Sequence, residues 1–223
     1  MPAKPQPTPR AGSLRAAPSR ATPSSAKPPR APRSRATASR VARSGATPSR
    51  ATPNDYFEAA MAILEEGGAG ALTIASVCER LEVTKGSFYH HFSAWGRFVD
   101  QLLEHWAEVQ TERIIALAEA EGDITRRLDR LVDFASKLPH RAEASLRAWG
   151  RSDPQVQRTV ARVDARRQRY LAEVYGTLVP TRRANLLAAG AMALLVGTQQ
   201  LRDDPSPAEV RRLLNEFRLL LDE

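Results

Sequence analysis

After residue 53 the apolar residues of this chain recur three and four positions apart, and no segment alternates with period two for long enough to suggest a sheet. That periodicity predicts an all-α fold. Asn54 or Asp55 can cap a first helix whose stripe is Phe57, Ala60, Met61 and Leu64, and Gly67 and Gly68 end it. Two short helices follow. A fourth, from about Ala94 to Ala120, carries Val99, Leu102, Leu103, Trp106, Val109, Ile114 and Leu117 on one side. At ~1.5 Å per residue it spans ~40 Å, long enough to tie a small head to a separate core. Asp123 caps a fifth helix that Pro139 closes, and a short sixth occupies about His140 to Trp149. Asp153-Pro154 is an N-cap with proline at N1 for a seventh; Pro180 separates it from an eighth, Arg182 to Leu201. Ser206-Pro207-Ala208-Glu209 reads as a full capping box opening the ninth.

The two short helices lie in Thr73–Phe92, T-I-A-S-V-C-E-R-L-E-V-T-K-G-S-F-Y-H-H-F. Ile74, Val77, Cys78 and Leu81 form one stripe, with Thr73 ahead of it as N-cap. Thr84 can cap the second helix, and Val83 and Phe88 stand at the two hydrophobic-staple positions. Phe88 and Phe92 can pack inward. Lys85, Gly86, Ser87, Tyr89, His90 and His91 are left for other faces. Phosphates and base edges call for donors, cations and close backbone approach, and this set offers all three. The layout is that of a helix-turn-helix DNA reader.

These residues resemble the DNA-binding signature of TetR-type transcriptional regulators, through L-T-I-x-x-V and V-T-K-G-S-F-Y-H-H-F; the close resemblance covers about Ala60 to Leu103. It implies a three-helix head over 54–98 and a helical effector-binding and dimerisation domain over 99–223. It further implies that Thr84, Lys85, Gly86, Ser87, Tyr89, His90 and His91 carry most DNA contacts, while Thr73 touches a phosphate. Three positions depart from the family pattern. Leu81 replaces a usual alanine, Glu82 stands where a turn glycine is common, and Trp95 replaces a lysine that often contacts phosphate.

Charge is divided sharply along the chain. Residues 1–53 hold eleven Lys and Arg, no acid, and eleven of the sixteen prolines; the remainder holds 22 basic and 25 acidic residues. The formal charge of +8 therefore resides in the first segment. With almost nothing apolar to bury, that segment is expected to be a disordered basic tail. Three roles remain open for it: a nonspecific DNA-binding arm, a solvated tail without a role, or a transit peptide. An arm would act by releasing counterions, so deleting residues 1–50 should flatten the salt dependence of DNA binding. A protein that compacts DNA nonspecifically through this tail is the alternative functional reading.

A single cysteine, Cys78, allows no internal disulfide and reads as a buried structural thiol, with a redox sensor as the lesser reading. No run approaches 18 apolar residues, so no membrane span is expected. A cytoplasmic location is, one associated with the nucleoid when the protein is on DNA. Little points to an enzyme. The histidines are His90, His91, His105 and His140, with no H-E-x-x-H, Cys/His cluster or phosphate-cradling glycine loop. No cofactor or metal is expected.

The stretch Ala188–Thr198 is apolar nearly all round and carries Gly190 and Gly197. Such a helix must be covered on several sides, as a central core helix or at a subunit interface. The resemblance favours the interface, a homodimer joined through the last two helices, with Leu187, Ala191, Leu194, Leu195, Leu213 and Phe217 as its residues. It also implies a pocket for an unknown small-molecule effector, for which His105, Trp106, Trp149, Tyr170 and Met192 are the candidate contacts. The arginines Arg147, Arg151, Arg158, Arg162, Arg166, Arg167 and Arg169 leave an anionic ligand open against a plain solvated charge face. The resulting expectation is a homodimeric, ligand-released repressor on a palindromic operator in double-stranded DNA.

Overall fold

The structure is a computed structural model that describes residues 51–221, so residues 1–50 of the basic tail, and the readings placed on them, lie outside the described residues. Ten α-helices follow one another, and no strand occurs among the described residues. The first four are α1 (Pro53–Gly67), α2 (Ile74–Arg80), α3 (Lys85–His91) and α4 (Trp95–Ala107). Next come α5 (Arg113–Glu119), α6 (Ile124–Ser136) and α7 (His140–Trp149). The chain closes with α8 (Pro154–Tyr175), α9 (Thr181–Leu201) and α10 (Pro207–Arg218).

Capping explains most boundaries and corrects two. The cap of α1 is Thr52, not Asn54 or Asp55. Pro53 takes N1, and Asp55 closes a capping box by accepting from the Thr52 backbone N–H at 2.7 Å. At α10 the expected box is only half made. Ser206 accepts from the Glu209 N–H at 3.3 Å, but the Glu209 carboxylate turns to Arg202 at 3.1 Å.

The long connecting helix is not uniform. Between α4 and α5 the residues Glu108–Glu112 wind as one π-helical turn, with the Arg113 N–H reaching the Glu108 carbonyl. A π turn inserts an extra residue and shifts every side chain after it around the axis. That shift is why Leu117, placed on the apolar side by straight-helix counting, is 54% exposed.

The core has three parts. The largest runs from α1–α4 into α7 and the start of α8, taking in Ala142, Leu146, Val156 and Val163, so the head shares its core with two body helices. A second joins α5, α6, α8 and α9. The third is small, with Leu138, Leu195 and Val210 buried together.

Helix α9 is, contrary to the sequence reading, long and apolar enough by composition to cross a membrane, with mean hydropathy 1.2. Here it packs along α8 and α10, burying Ala184, Ala188, Ala191, Met192 and Leu195. Its glycines serve different ends. A Cβ on Gly190 would lie 2.7 Å from Phe217 Cζ, so this glycine lets α10 of the same subunit approach. A Cβ on Gly197 would meet nothing within 4 Å beyond its own stretch of helix.

Candidate nucleic-acid interface and ligand cavity

The reader is held from both ends. Thr73 and Ser76 form a reciprocal capping box on α2, at 3.0 and 2.9 Å. Thr84 caps α3 by accepting from the Ser87 N–H at 3.2 Å. The turn between them is a Schellman motif. The Val83 N–H reaches the Cys78 carbonyl at 2.9 Å, and the Glu82 N–H reaches the Glu79 carbonyl at 3.1 Å. Glu82 sits at the left-handed position with φ 53°, the one described non-glycine residue with positive φ. The missing turn glycine is thus not bypassed; the chain adopts the glycine conformation with a glutamate in it.

Beneath the reader lies an aromatic cluster. Tyr56, Phe57, Phe88, Phe92 and Phe98 are all buried, with neighbouring rings 5.0 to 6.0 Å apart. Edge-to-face pairs of this kind contribute about 0.5–1.5 kcal/mol beyond area burial. Trp95 joins them, 5.3 Å from Phe98 and stacked on Phe88 at 6.5 Å. Trp95, which stands where the resemblance implied a lysine, packs against the head core. The Cys78 thiol is buried, burial pushes its pKa up, and its Sγ lies 3.7 Å from the Thr84 carbonyl. That environment fits a structural thiol.

Lys85, Gly86, Tyr89 and His90 are exposed, Tyr89 at 53%, and Thr73 and Thr84 present their outer sides at the two helix starts. Two members of the expected contact set are partly engaged within the head. Ser87 Oγ accepts from Tyr56 Oη at 2.8 Å, and the half-buried His91 ring lies 5.5 Å from that of Tyr56. Tyr56 thus positions α3 through two of its residues. The apolar stripe of α1 could not show this, because the contact spans 31 residues.

A cavity of about 80 Å³ opens between α5, α6, α8 and α9. Of the candidate contacts, Tyr170 and Met192 line it. The other three do not. Trp106 is buried in the head-side core, and Trp149 packs against that core. His105 lies with its ring 5.0 Å from Phe57 and its Nε2 3.6 Å from Glu58, at the joint between α4 and α1. The polar wall is formed by Gln110 and Thr111, which sequence reasoning missed, and by Arg167, one of the arginines it set beside the pocket.

Arg167 anchors a buried network. Its Nη1 and Nη2 donate to both Glu143 oxygens at 3.0 and 2.7 Å, its Nε to Thr111 Oγ1 at 3.0 Å, and its Nη2 to the Gln110 carbonyl at 3.0 Å. Gln199 Nε2 donates to Glu143 Oε2 at 2.8 Å. Glu143 is 1% exposed. Burial alone pushes its carboxyl pKa up, but the charge and hydrogen bonds of Arg167, with help from Gln199, outweigh burial and hold it below the usual range. For Arg167, burial pulls down, and the Glu143 charge prevails and raises it. Two other arginines are likewise paired, Arg147 with Asp164 at 2.9 Å and Arg166 with Glu112 at 3.3 Å.

The six residues expected at a subunit interface are buried or half-buried within this chain. Leu187, Ala191 and Leu195 are buried in its core, Phe217 packs against it, and Leu194 and Leu213 are half-buried. The apolar surface these helices leave open is Leu186 at 73%, Leu201 at 84%, Leu219 at 57% and Leu220 at 37%, with Ala193 exposed between the first two. An all-round apolar helix gives no phase, so the inward and outward sets were not separable by pattern.

A capped helix-turn-helix on an all-helical body defines a DNA-binding transcriptional regulator. The model for bacterial regulatory proteins of the tetR family matches residues 57–94, the stretch that holds α2 and α3. The fold is similar to that of a transcriptional regulator from Rhodococcus sp. RHA1, at 18% identity, with 77% of this chain and 96% of that one covered and a TM-score of 0.65. A regulator from Saccharomonospora viridis, solved with choline, gives 17%, 75%, 95% and 0.62. FadR from Bacillus subtilis, solved with stearoyl-CoA, gives 14%, 76%, 97% and 0.56. No curated protein sequence matches the chain.

Proposed function

We propose that the protein is a homodimeric transcriptional repressor that binds a palindromic operator and is released by a small-molecule effector. The observation that carries the DNA half is the exposed face of α3, with Lys85, Tyr89 and His90 on a helix held by Thr84, the Schellman turn and Tyr56. In the major groove Lys85 would meet phosphate, and Tyr89 and His90 would reach base edges or sugar. Thr73 adds a phosphate contact from the start of α2. Dimerisation through the open apolar face of α9 and α10 would set two heads about 34 Å apart, one helical turn of DNA. The protein would work in the cytoplasm, on the nucleoid when bound.

Effector control is supported by the cavity and by the choline and stearoyl-CoA bound in similar folds. Its route to the head runs through α7 as well as α4. The Ala142 N–H donates to Glu65 at 2.6 Å and Ser145 Oγ to the Leu64 carbonyl at 2.9 Å, both on α1. Glu143, between them, holds the Arg167 that lines the cavity. A ligand that displaces Arg167 would move the helix on which the head rests, and ligand and DNA affinities would be linked reciprocally.

The test is selection of bound duplexes from a random pool, followed by replacement of Lys85 and Tyr89 together by alanine. One preferred palindrome should emerge, and the double variant should lose it while remaining dimeric. Retained operator binding would remove α3 from its role. Equal binding to every duplex would favour instead a compacting protein acting through its basic tail, the reading that the eleven Lys and Arg residues of 1–53, with no acid among them in the sequence, keep open.

A further inference from the structure

The cavity between α5, α6, α8 and α9 is apolar over most of its wall, with Ile114, Leu131, Leu138, Leu171, Met192 and Leu195 facing it. It adjoins a second cavity of about 60 Å³ that shares Leu131, Leu171, Met192 and Leu195 and extends to Phe217 on α10. Each holds one charged side chain on its wall, Arg167 in the first and Arg218 in the second. Arg218 is ion-paired with Asp129.

Arg167 decides what the first cavity can accept. A guanidinium has five N–H groups. Four of them are in use, two on Glu143, one on Thr111 and one on the Gln110 carbonyl. The Glu143 carboxylate sits directly behind it, fully buried, and cancels its charge. An anion entering here would lose its hydration, find no free cation and face the Glu143 charge. A cation would find no free carboxylate. An uncharged apolar molecule meets neither penalty. Lined by leucine, isoleucine and methionine, the two adjoining spaces of about 80 and 60 Å³ together approach the ~150 Å³ of an apolar cavity that holds benzene, and so suit a single ring or a short alkyl chain. The wall also includes the ring-bearing Tyr170.

We propose that the cavity selects compact, uncharged, apolar molecules, and that Glu143 is the specificity-determining residue, excluding anions by neutralising Arg167. This rests on reading the cavity as the effector site. It also answers the suggestion, raised by the arginine-rich sequence of α8, that the ligand is anionic.

Three probes of matched length separate the possibilities by calorimetric titration of the full chain at pH 7.5: 1-hexanol, hexanoate and hexyltrimethylammonium. Hexanol should bind at least about tenfold more tightly than either ion, a difference of about 1.4 kcal/mol. Met192→Trp, which fills the shared wall, should abolish hexanol binding and so place it in the cavity. In Glu143→Gln the Arg167 charge is freed, and hexanoate affinity should rise by about tenfold or more while that of hexanol changes little. Should that variant fail to fold, the wild-type ranking and Met192→Trp decide alone. Hexanoate or the cation binding as well as hexanol would overturn the selectivity and leave an effector site standing. Hexanol binding that survives Met192→Trp, or no binding of any probe, would overturn the inference together with the effector half of the function. Operator binding, measured without probe, remains a separate test of the DNA half.

Discussion

Replacing Glu143 with alanine removes a carboxylate that is 1% exposed and leaves Arg167, itself 9% exposed, as a buried charge without its counterion. Three donors lose their acceptor at once, two on Arg167 and Nε2 of Gln199. Breaking a buried pair from one side costs about 3–5 kcal/mol, because the surviving ion keeps its desolvation penalty. For a chain of this length each kcal/mol lowers Tm by ~2–4 °C, so a fall of roughly 10 °C is expected. Urea unfolding followed by tryptophan fluorescence is a suitable assay, since Trp106 lies with its ring 5.8 Å from the Arg167 guanidinium. The double variant Glu143→Leu with Arg167→Met should recover most of the loss, since apolar residues of similar volume carry no desolvation cost. Acid offers an independent check. The folded-state pKa of Glu143 is held below 4.5, so its contribution is present above that value and is lost as pH falls through the folded pKa. Wild type and Glu143→Ala should therefore converge in stability at low pH. A single variant that loses less than about 1 kcal/mol, or a double variant as unstable as the two singles summed, would refute the reasoning.

Glu82→Gly should stabilise the protein by about 0.5–1 kcal/mol in denaturant titration: left-handed backbone costs an L-residue ~1–2 kcal/mol, and glycine returns part of that as chain entropy. A loss of stability would show that φ 53° carries no strain. Gly190→Ala should cost about 1–3 kcal/mol, because its methyl would meet the Phe217 ring at 2.7 Å; a neutral outcome would mean α10 yields freely. Leu186→Glu, at a side chain 73% exposed, should convert the proposed dimer to monomer in light scattering while changing fold stability by no more than about 0.5 kcal/mol. A variant that remains dimeric would place the interface elsewhere.

Local chemistry was the legible part. Thr73, Thr84, Asp153 and Ser206 each stood before an apolar stripe, and each caps a helix in the structure. The reader could be read because its signals lie within twenty residues: two caps, one stripe and an outward polar set. Where two caps competed, counting failed. Thr52 caps α1 two or three residues before the Asn54 or Asp55 read from sequence, because proline at N1 supplies a preset φ and has no N–H to satisfy. The π turn left no signature either. Glu108-Val-Gln-Thr-Glu112 is compatible with ordinary helix, and the extra residue is accommodated by what packs on it, Arg167 holding the Gln110 carbonyl and the Thr111 hydroxyl from another helix.

That arginine shows why the ligand site resisted the same treatment. Arg147, Arg166 and Arg167 look alike in sequence, each one of a run on α7 and α8. What distinguishes them is partners 17, 54 and 24 residues away, on three different helices. Arg166 and Arg167 are adjacent, so they point about 100° apart on the helix. One is solvated and pairs with Glu112 at the surface; the other is turned into the core and must find Glu143 or not be charged there at all. Periodicity assigns position 167 to the buried face, in register with Val160, Val163, Tyr170 and Val174. An arginine on an otherwise apolar stripe was therefore the available signal, and the rule that a buried charge requires a partner would have sent the search toward the acid at a core position of α7.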